Sequence, residues 1–455
     1  MTAAIARSTF TALAVLSVFH LGANDILHAS DNQPVASPPL PTWTISRADI
    51  GASGAVPQTL PRELKILWET QTEEAIETTP VSDGVRVYIT DVMGSVEALD
   101  AQTGKSIWRR SFDTGFVAPA GLYLPSSVTP SDSIETAKLP VIDAQKSITD
   151  ASSDPLSNDD TTGRTSGYEQ PLLIVGDVEG NVEAMNPETG ESLWKFTTDG
   201  EINAAPAFFA VPLQRDPSLS NAEKSEQFEI RLLQTSQDGC LYCLNAHTGK
   251  LVWKYETGDQ IRCAASIGSG KTFLGGCDGA LHIVDLATGE AAREAMPLGG
   301  PTGSTPAVIG DEVFLPIMDG AVFAFNPTSG EIRWKFEDPE RLQEYRSSPA
   351  IGPDRIIVGS NNKHIDALDR KTGERIWRKT LRRRADASPL IAGDDVWIAS
   401  TDGLLQRLSL ADGEETWSFE SRGKFIAAPA ILGDRLIIAD DDGLVRCFAA
   451  PSPQR

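Results

Sequence analysis

The sequence predicts an all-β protein: one eight-bladed β-propeller of four-stranded antiparallel blades over residues 62–449. Three observations predict it. A unit of about forty residues recurs along the chain, each copy contains β-hairpin signals, and the two ends of the chain supply complementary parts of one copy. The chain has 455 residues, which is more than a single hydrophobic core usually holds. A small unit that repeats around an axis allows a chain of this length to fold as one domain.

The repeat consists of a turn, a short apolar strand, a second turn and a tryptophan. Its clearest copy runs from Asp238 to Trp253. Further copies run from Asp319 to Trp334, Asp402 to Trp417, Asp91 to Trp108, Asp177 to Trp194 and Asn361 to Trp377. A seventh begins at Asp278 and carries Arg293 in place of the tryptophan, and an eighth begins at Asp442 and reaches the C-terminus first. Such a period is typical of a propeller or solenoid.

A complete copy holds four strand signals. The C-terminal copy shows the first three of them, at 425–431, 435–439 and 444–448. These runs are short and rich in β-branched and aromatic residues. Asp-Gly and Thr-Gly dipeptides join them, and tight hairpins favour glycine because their turns need positive φ. The tryptophan strand is the fourth.

The two chain ends predict ring closure. The last copy lacks its tryptophan strand, and the N-terminal part offers an unmatched one at 64–70. If that strand completes the last blade, eight turns match eight outer strands, and each tryptophan can pack against the neighbouring blade. The outer strands then carry Trp68, Trp108, Trp194, Trp253, Arg293, Trp334, Trp377 and Trp417.

The segments outside the repeat have separate predictions. Residues 1–29 read as a secretory signal peptide, without the cysteine that a lipid anchor needs, since Asn24 stands at that place. Residues 30–61 are rich in proline and are expected to form an exposed lead-in without fixed structure. Residues 121–170 and 211–228 read as loop insertions that cap the face opposite the Asp-Gly hairpins, and 450–455 as a tail.

Composition narrows the range of partners. The formal net charge is −23, from 63 acidic and 40 basic residues, whereas a nucleic-acid binder carries a basic footprint. No apolar run is long enough to span a membrane in the mature protein. We therefore expect a monomer that binds a protein or a cell-envelope component, and no nucleic acid.

The pattern of Asp-Gly, apolar strand, Asp or Asn, Thr-Gly-Glu/Lys and tryptophan resembles the pyrroloquinoline-quinone-like (PQQ-like) propeller repeat. That repeat occurs in quinoprotein alcohol dehydrogenases and in BamB-like outer-membrane assembly factors, and the resemblance covers roughly residues 62–449. It implies the fold and leaves the function open, because one fold hosts many functions.

The dehydrogenase features that the resemblance would imply are missing. No two cysteines are adjacent, so the disulfide over the quinone has no counterpart, and Cys240-Leu-Tyr-Cys243 precedes Leu244 where haem attachment needs histidine. No catalytic residue, metal site or cofactor is predicted. We expect an exported, periplasmic or extracellular, non-enzymatic scaffold similar to BamB. The alternative is a PQQ- and calcium-dependent alcohol or sugar dehydrogenase with an atypical site.

Aligned copies predict a site at one channel mouth, where the innermost strands begin. The residues expected to converge there are Glu77, Asn203, Arg262, Arg346 and Asp386. They form either a ring of structural ion pairs or a polar pocket for a peptide or a small anionic group, since arginine suits carboxylates and phosphates. Cys263 and Cys277 flank a turn almost symmetrically, and are expected to form either a disulfide or two separate buried thiols.

Overall fold

Thirty-three strands and no helix form the described part of the chain, residues 39–127, 170–212, 228–340 and 343–451 of a computed structural model. They make eight four-stranded antiparallel blades, so the predicted fold is confirmed. Two strands precede the first blade: β1 (Ala55–Val56) and β2 (Lys65–Gln71).

Each blade takes its strands in chain order from the channel outward, and the first four blades are as follows. Blade 1 has β3 (Val81–Ser82), β4 (Arg86–Thr90), β5 (Ser95–Asp100) and β6 (Ser106–Ser111). Blade 2 has β7 (Gly121–Tyr123), β8 (Leu172–Gly176), β9 (Asn181–Met185) and β10 (Ser192–Thr197). Blade 3 has β11 (Ala207–Pro212), β12 (Phe228–Thr235), β13 (Cys240–Asn245) and β14 (Leu251–Glu256). Blade 4 has β15 (Ser266–Gly268), β16 (Lys271–Gly275), β17 (Ala280–Asp285) and β18 (Met296–Pro297).

The remaining blades follow the same order, and the last borrows β2 as its outer strand. Blade 5 has β19 (Ala307–Ile309), β20 (Glu312–Pro316), β21 (Ala321–Phe325) and β22 (Ile332–Glu337). Blade 6 has β23 (Ala350–Ile351), β24 (Arg355–Ser360), β25 (His364–Asp369) and β26 (Arg375–Thr380). Blade 7 has β27 (Leu390–Ala392), β28 (Asp395–Ala399), β29 (Leu404–Ser409) and β30 (Glu415–Glu420). Blade 8 has β31 (Ala430–Leu432), β32 (Arg435–Ala439) and β33 (Leu444–Ala449).

The two middle strands of each blade are buried on both faces, so their sequences read as nearly continuous apolar runs. In β32, for example, Leu436, Ile437 and Ile438 are all fully buried. The outer strand instead exposes alternate residues. Burial between neighbouring blades therefore supplies the core, as radial stacking requires.

The blade tryptophans bridge each blade to the next. The indole N–H of Trp377 donates to the Leu410 carbonyl at 3.0 Å, in the Thr-Gly-type turn of blade 7. The ring lies beneath Gly413, whose φ of +75° a side chain would strain. A β-bulge falls directly before the tryptophan in the outer strand, at Ile376 in blade 6, and re-aims the ring toward its neighbour.

Blade 4 departs from this pattern at Arg293. The guanidinium occupies the place of the indole, beneath Gly330 of blade 5, and its Nε has no acceptor among the described residues. The outer strand β18 has only two residues. The boundary between blades 4 and 5 therefore lacks the aromatic contact that the other copies share.

Both chain ends close the ring. Strand β2 pairs antiparallel with β33, placing Trp68 opposite Cys447. Arg446 bonds to Glu69 of β2 at 2.7 Å and to the buried Asp440 at 2.5 Å. The N-terminal outer strand is thus held by backbone pairing and by an ion-pair network.

The predicted insertions fall between the first and second strands of blades 2 and 3. Residues 128–169 and 213–227 lie outside the described residues, as do the predicted signal peptide 1–29, residues 30–38 and residues 452–455. The expected boundaries of 121 and 211 were slightly early, because β7 and the end of β11 occupy those positions.

Residues 39–61, here called the lead-in, correct one expectation. They were expected to be exposed and without fixed structure, yet they follow the inner edge of the ring. The amide N–H groups of Ile267, Val308, Ile351 and Ile391, in blades 4 to 7, donate to lead-in carbonyls at 2.7–2.9 Å. The reason is physical: innermost strands present unpaired backbone groups to the channel, and a segment of any composition can satisfy them.

Candidate functional site

A polar cavity lies on the propeller axis, and we call it the cup. Its volume is about 240 Å³, and residues from all eight blades and from the lead-in line it. Its wall consists of the segments that precede the inner strands, and its floor contains Ser46 and Arg47 of the lead-in.

Strand direction fixes the end of the channel at which the cup opens. Connections between strands 2 and 3, and between one blade and the next, share one end of the channel because neighbouring strands are antiparallel. The wall of the cup comes from the connections between blades. The cup therefore opens on the face that carries the Asp-Gly hairpins, the hairpin face, and the two insertions start from the opposite face.

All five residues predicted for the channel mouth line this one cavity: Glu77, Asn203, Arg262, Arg346 and Asp386. Glu77, Arg262 and Arg346 are exposed, and the other two are half-buried. In blade 2 the corresponding position, three residues before Pro119, is occupied by Phe116. This side chain is buried, and Pro119 lines the cup in its place.

Arg47 is the most deeply buried charge of the cup, at 7% exposure. One Nη donates to the Pro349 carbonyl at 2.6 Å and the other to the Pro389 carbonyl at 2.9 Å. Both acceptors are neutral, and among the described residues Nε has no acceptor and no carboxylate lies within 4.0 Å. Within the part of the chain that the structure describes, Arg47 is therefore a buried cation without an ion-pair partner.

Burial lowers the pKa of Arg47 to about 10, and the charge of Asp49 opposes that shift. Even so, the guanidinium is charged at neutral pH. Asp49 is turned toward Ser53, whose amide donates to it at 3.0 Å and whose hydroxyl also bonds to it. Asp49 therefore bonds within the lead-in, at Ser53, whereas the guanidinium of Arg47 lines the cup.

The rim arginines differ in their partners. Arg346 is held by Glu344 at 2.5 Å, and this ion pair lowers the pKa of the Glu344 carboxyl. Arg262 bonds only to the neutral amide of Gln260, at 2.9 Å. Of the two interpretations of the channel mouth, a ring of structural ion pairs fits Arg346. It does not fit Arg262, which has no ion pair among the described residues.

The hydrogen-bond acceptors of the rim likewise include one side chain with a partner and one without. Asp386 pairs with Arg384 at 2.8 Å, so its charge is balanced. The Oδ1 atom of Asn203 is buried and has no donor among the described residues. The wall therefore contains one buried acceptor without a donor, and among the described residues Arg47 and Arg262 have no carboxylate within 4.0 Å, while Glu77 adds an exposed carboxylate to the rim.

A ladder of hydroxyl groups lines the wall below the rim, and sequence reasoning missed it. The Thr305 amide donates to the Ser348 hydroxyl, and the Ser348 amide to the Ser388 hydroxyl, both at 2.9 Å. Each bond joins one blade to the next. The sequence does carry a signal for it: a serine or threonine stands before the proline that precedes the inner strand in three consecutive copies, at 305–306, 348–349 and 388–389.

Cys263 and Cys277 are separate free thiols in this structure. Cys263 lies in the wall of the cup and its Sγ contacts the Gly275 carbonyl at 3.2 Å. Burial raises the pKa of the Cys263 thiol to about 12 and also raises that of Cys277. Of the two expected arrangements, the structure has the unbonded one.

The cup lacks the groups that a quinone needs. Among the described residues no aromatic side chain lines it, so a planar ring has no stacking partner there. Among the described residues, no cluster of three His, Cys, Asp or Glu side chains could hold a metal ion. The residues that line the cup therefore do not fit the PQQ and calcium of the alternative function.

No helix in the described residues is long and apolar enough to cross a membrane.

Comparison with protein families gives one match over most of the chain. The family model described as "Outer membrane protein assembly factor BamB" matches residues 62–139, 143–295, 226–363 and 361–451. The matches overlap and cover the repeat region that the sequence pattern defines. The chain is thus similar to this family in every blade.

Individual relatives are distant. An outer membrane protein assembly factor BamB of Burkholderia pseudomallei is 25% identical over 66% of this chain and 64% of its own length. The dehydrogenase subunit of a quinone alcohol dehydrogenase from Acetobacter aceti is 24% identical over 69% and 41%. This chain therefore spans less than two thirds of the length of either relative.

A solved structure shows the same fold. The crystal structure of BamB from Moraxella catarrhalis aligns with a TM-score of 0.61 at 16% identity, covering 86% of this chain and 99% of that chain. At such identity the alignment speaks for the propeller and not for its ligand.

Proposed function

Because the chain belongs to the family described as outer membrane protein assembly factor BamB, we propose that it is an exported scaffold that binds a partner polypeptide at the cell envelope. The signal-like residues 1–29 would direct the export. Docking would take place on the hairpin face, around the cup.

One observation carries the choice of face: the eight blades converge on a single polar concavity there. A closed ring with interblade hydrogen bonds is rigid, and rigid surfaces lose little conformational entropy on binding. Arg262 and Arg346 stand exposed at the rim, and arginine is enriched at protein interfaces. The hairpin face therefore combines a fixed shape with exposed anchor groups.

The test is affinity capture from a solubilised envelope fraction. The full chain serves as bait beside the double variant Arg262→Ala/Arg346→Ala. We expect wild type to retain a discrete partner, identified by mass spectrometry, and the variant to lose it at unchanged melting temperature. Both arginines are exposed, so their truncation should leave the fold intact.

A matched control is Arg333→Ala, because Arg333 is an exposed arginine of β22 that pairs with Asp311, in the turn between β19 and β20 on the face opposite the hairpins. This variant should still retain the partner. Equal capture by wild type and the rim variant would place docking elsewhere. Loss of fold in the rim variant would mean that the rim arginines are structural.

Relatedness to quinone alcohol dehydrogenases keeps a second function testable. Calcium and PQQ are added to the purified chain, and dye reduction is followed with an alcohol or a sugar. The absence of aromatic side chains from the cup leads us to expect neither saturable quinone binding nor dye reduction. Turnover would replace the scaffold proposal by the oxidoreductase reading.

A further inference from the structure

We propose that the cup is an oxyanion-binding site, which takes a carboxylate or phosphate group, and that the lead-in supplies its buried cation, Arg47. This inference goes beyond docking, because it concerns a small ligand and does not require a protein partner. It rests on three features of the described residues.

The first feature is the unbalanced charge of Arg47. A buried cation is costly unless an anion or a full set of hydrogen bonds compensates it. Two neutral carbonyls accept from its Nη atoms, and its Nε has no acceptor among the described residues. Since Arg47 also lines the cup, an anion in the cup would neutralise its charge.

The second feature is the composition of the wall above Arg47. Arg262 lines the same cavity and bonds only to the neutral Gln260. Among the described residues, Arg47 and Arg262 thus face one small space without a carboxylate within 4.0 Å, although the rim also carries Glu77 and the Arg384-paired Asp386. Guanidinium groups match the planar, two-oxygen geometry of carboxylates and phosphates.

The third feature limits the kind of oxyanion. A cup of about 240 Å³ holds only a small molecule or the end of a longer one. The lead-in closes the floor, so the ligand enters from the hairpin face.

The experiment titrates the purified full chain with inorganic phosphate and, separately, with citrate at low ionic strength, using calorimetry and thermal shift. We expect saturable binding of at least one probe and a rise in melting temperature. Binding of phosphate alone points to a phosphoryl ligand, and binding of citrate alone to a carboxylate. Either result supports the oxyanion site, whereas no saturable binding of either probe overturns it.

Variants assign the site. Arg262→Gln should weaken binding about tenfold or more, which is the loss expected for one charge-assisted hydrogen bond. Arg333→Gln, the exposed control on the opposite face, should leave affinity unchanged. Equal weakening by the two variants would indicate attraction to the surface in general and overturn the assignment.

Arg47→Lys tests the floor, because it keeps the charge and removes the planar guanidinium. We expect weaker binding with unchanged circular dichroism. If this variant is unstable, Arg262→Gln still decides the proposal. Anion binding and partner capture are separate readouts: captured partner without anion binding defeats this inference alone, and anion binding without capture defeats the docking proposal alone.

Discussion

Substituting Gly413 by alanine tests whether packing of a tryptophan against a turn holds neighbouring blades together. Gly413 has a φ of +75°, so any side chain there is strained by about 1–2 kcal/mol. The new Cβ would also lie 2.7 Å from Cε3 of Trp377, a ring that is only 9% exposed and is fixed by its hydrogen bond to Leu410. Overpacking of a buried site adds about 1–3 kcal/mol. We expect the free energy of unfolding to fall by about 2–5 kcal/mol, measured by urea titration with circular dichroism.

The matched control is Gly270→Ala. Gly270 has a φ of +72°, and nothing lies within 4 Å of the position that its Cβ would take. This variant pays for the strained backbone alone, so we expect a loss of about 1–2 kcal/mol. Equal losses for the two variants would refute the reasoning, because they would show that the contact between the turn and the tryptophan contributes nothing beyond local strain.

Two further predictions concern the thiols and the ring closure. Because burial raises the pKa of Cys263 to about 12, we expect iodoacetamide at pH 8 to label the native chain slowly and Cys277 first, with labelling faster at higher pH; rapid modification of Cys263, detected by mass spectrometry, would contradict this. Arg446→Met removes the cation beside the fully buried Asp440, so urea titration should show a loss of about 3–5 kcal/mol. Lys424→Met, which breaks an exposed pair with Asp441, should cost much less, because surface ion pairs contribute little to stability.

The repeat made most of the fold predictable from the sequence. Asp-Gly turns and tryptophans mark each blade because backbone geometry and interblade packing demand those residue types at fixed places. Trp68 could be assigned to the last blade because one outer strand was missing at the C-terminus and one was in excess near the N-terminus. The same alignment brought Glu77, Asn203, Arg262, Arg346 and Asp386 to one cavity.

The floor of the cup could not be predicted, since the lead-in binds the ring mainly through its backbone. Strand pairing of this kind depends on unpaired N–H and C=O groups and leaves little trace in side-chain pattern. Arg47 lies outside every repeat copy, so no alignment could point to it. The proline-rich composition around it indicated flexibility, yet the open inner edge of the ring imposes an ordered path.

The lead-in also has a consequence for the order in which the chain folds. Arg47 bonds to Pro389 across 342 residues of sequence, and Arg446 bonds to Glu69 across 377. Contacts between such distant positions carry a large loop-closure entropy and slow folding. Part of the lead-in pairs locally, since Trp43 bonds to Ser82 of blade 1. The floor of the cup is completed only when the chain has reached Pro389, because the carbonyls of Pro349 and Pro389 hold Arg47. Ligand binding in the cup would therefore report on a ring in which the connections to blades 6 and 7 are already in place.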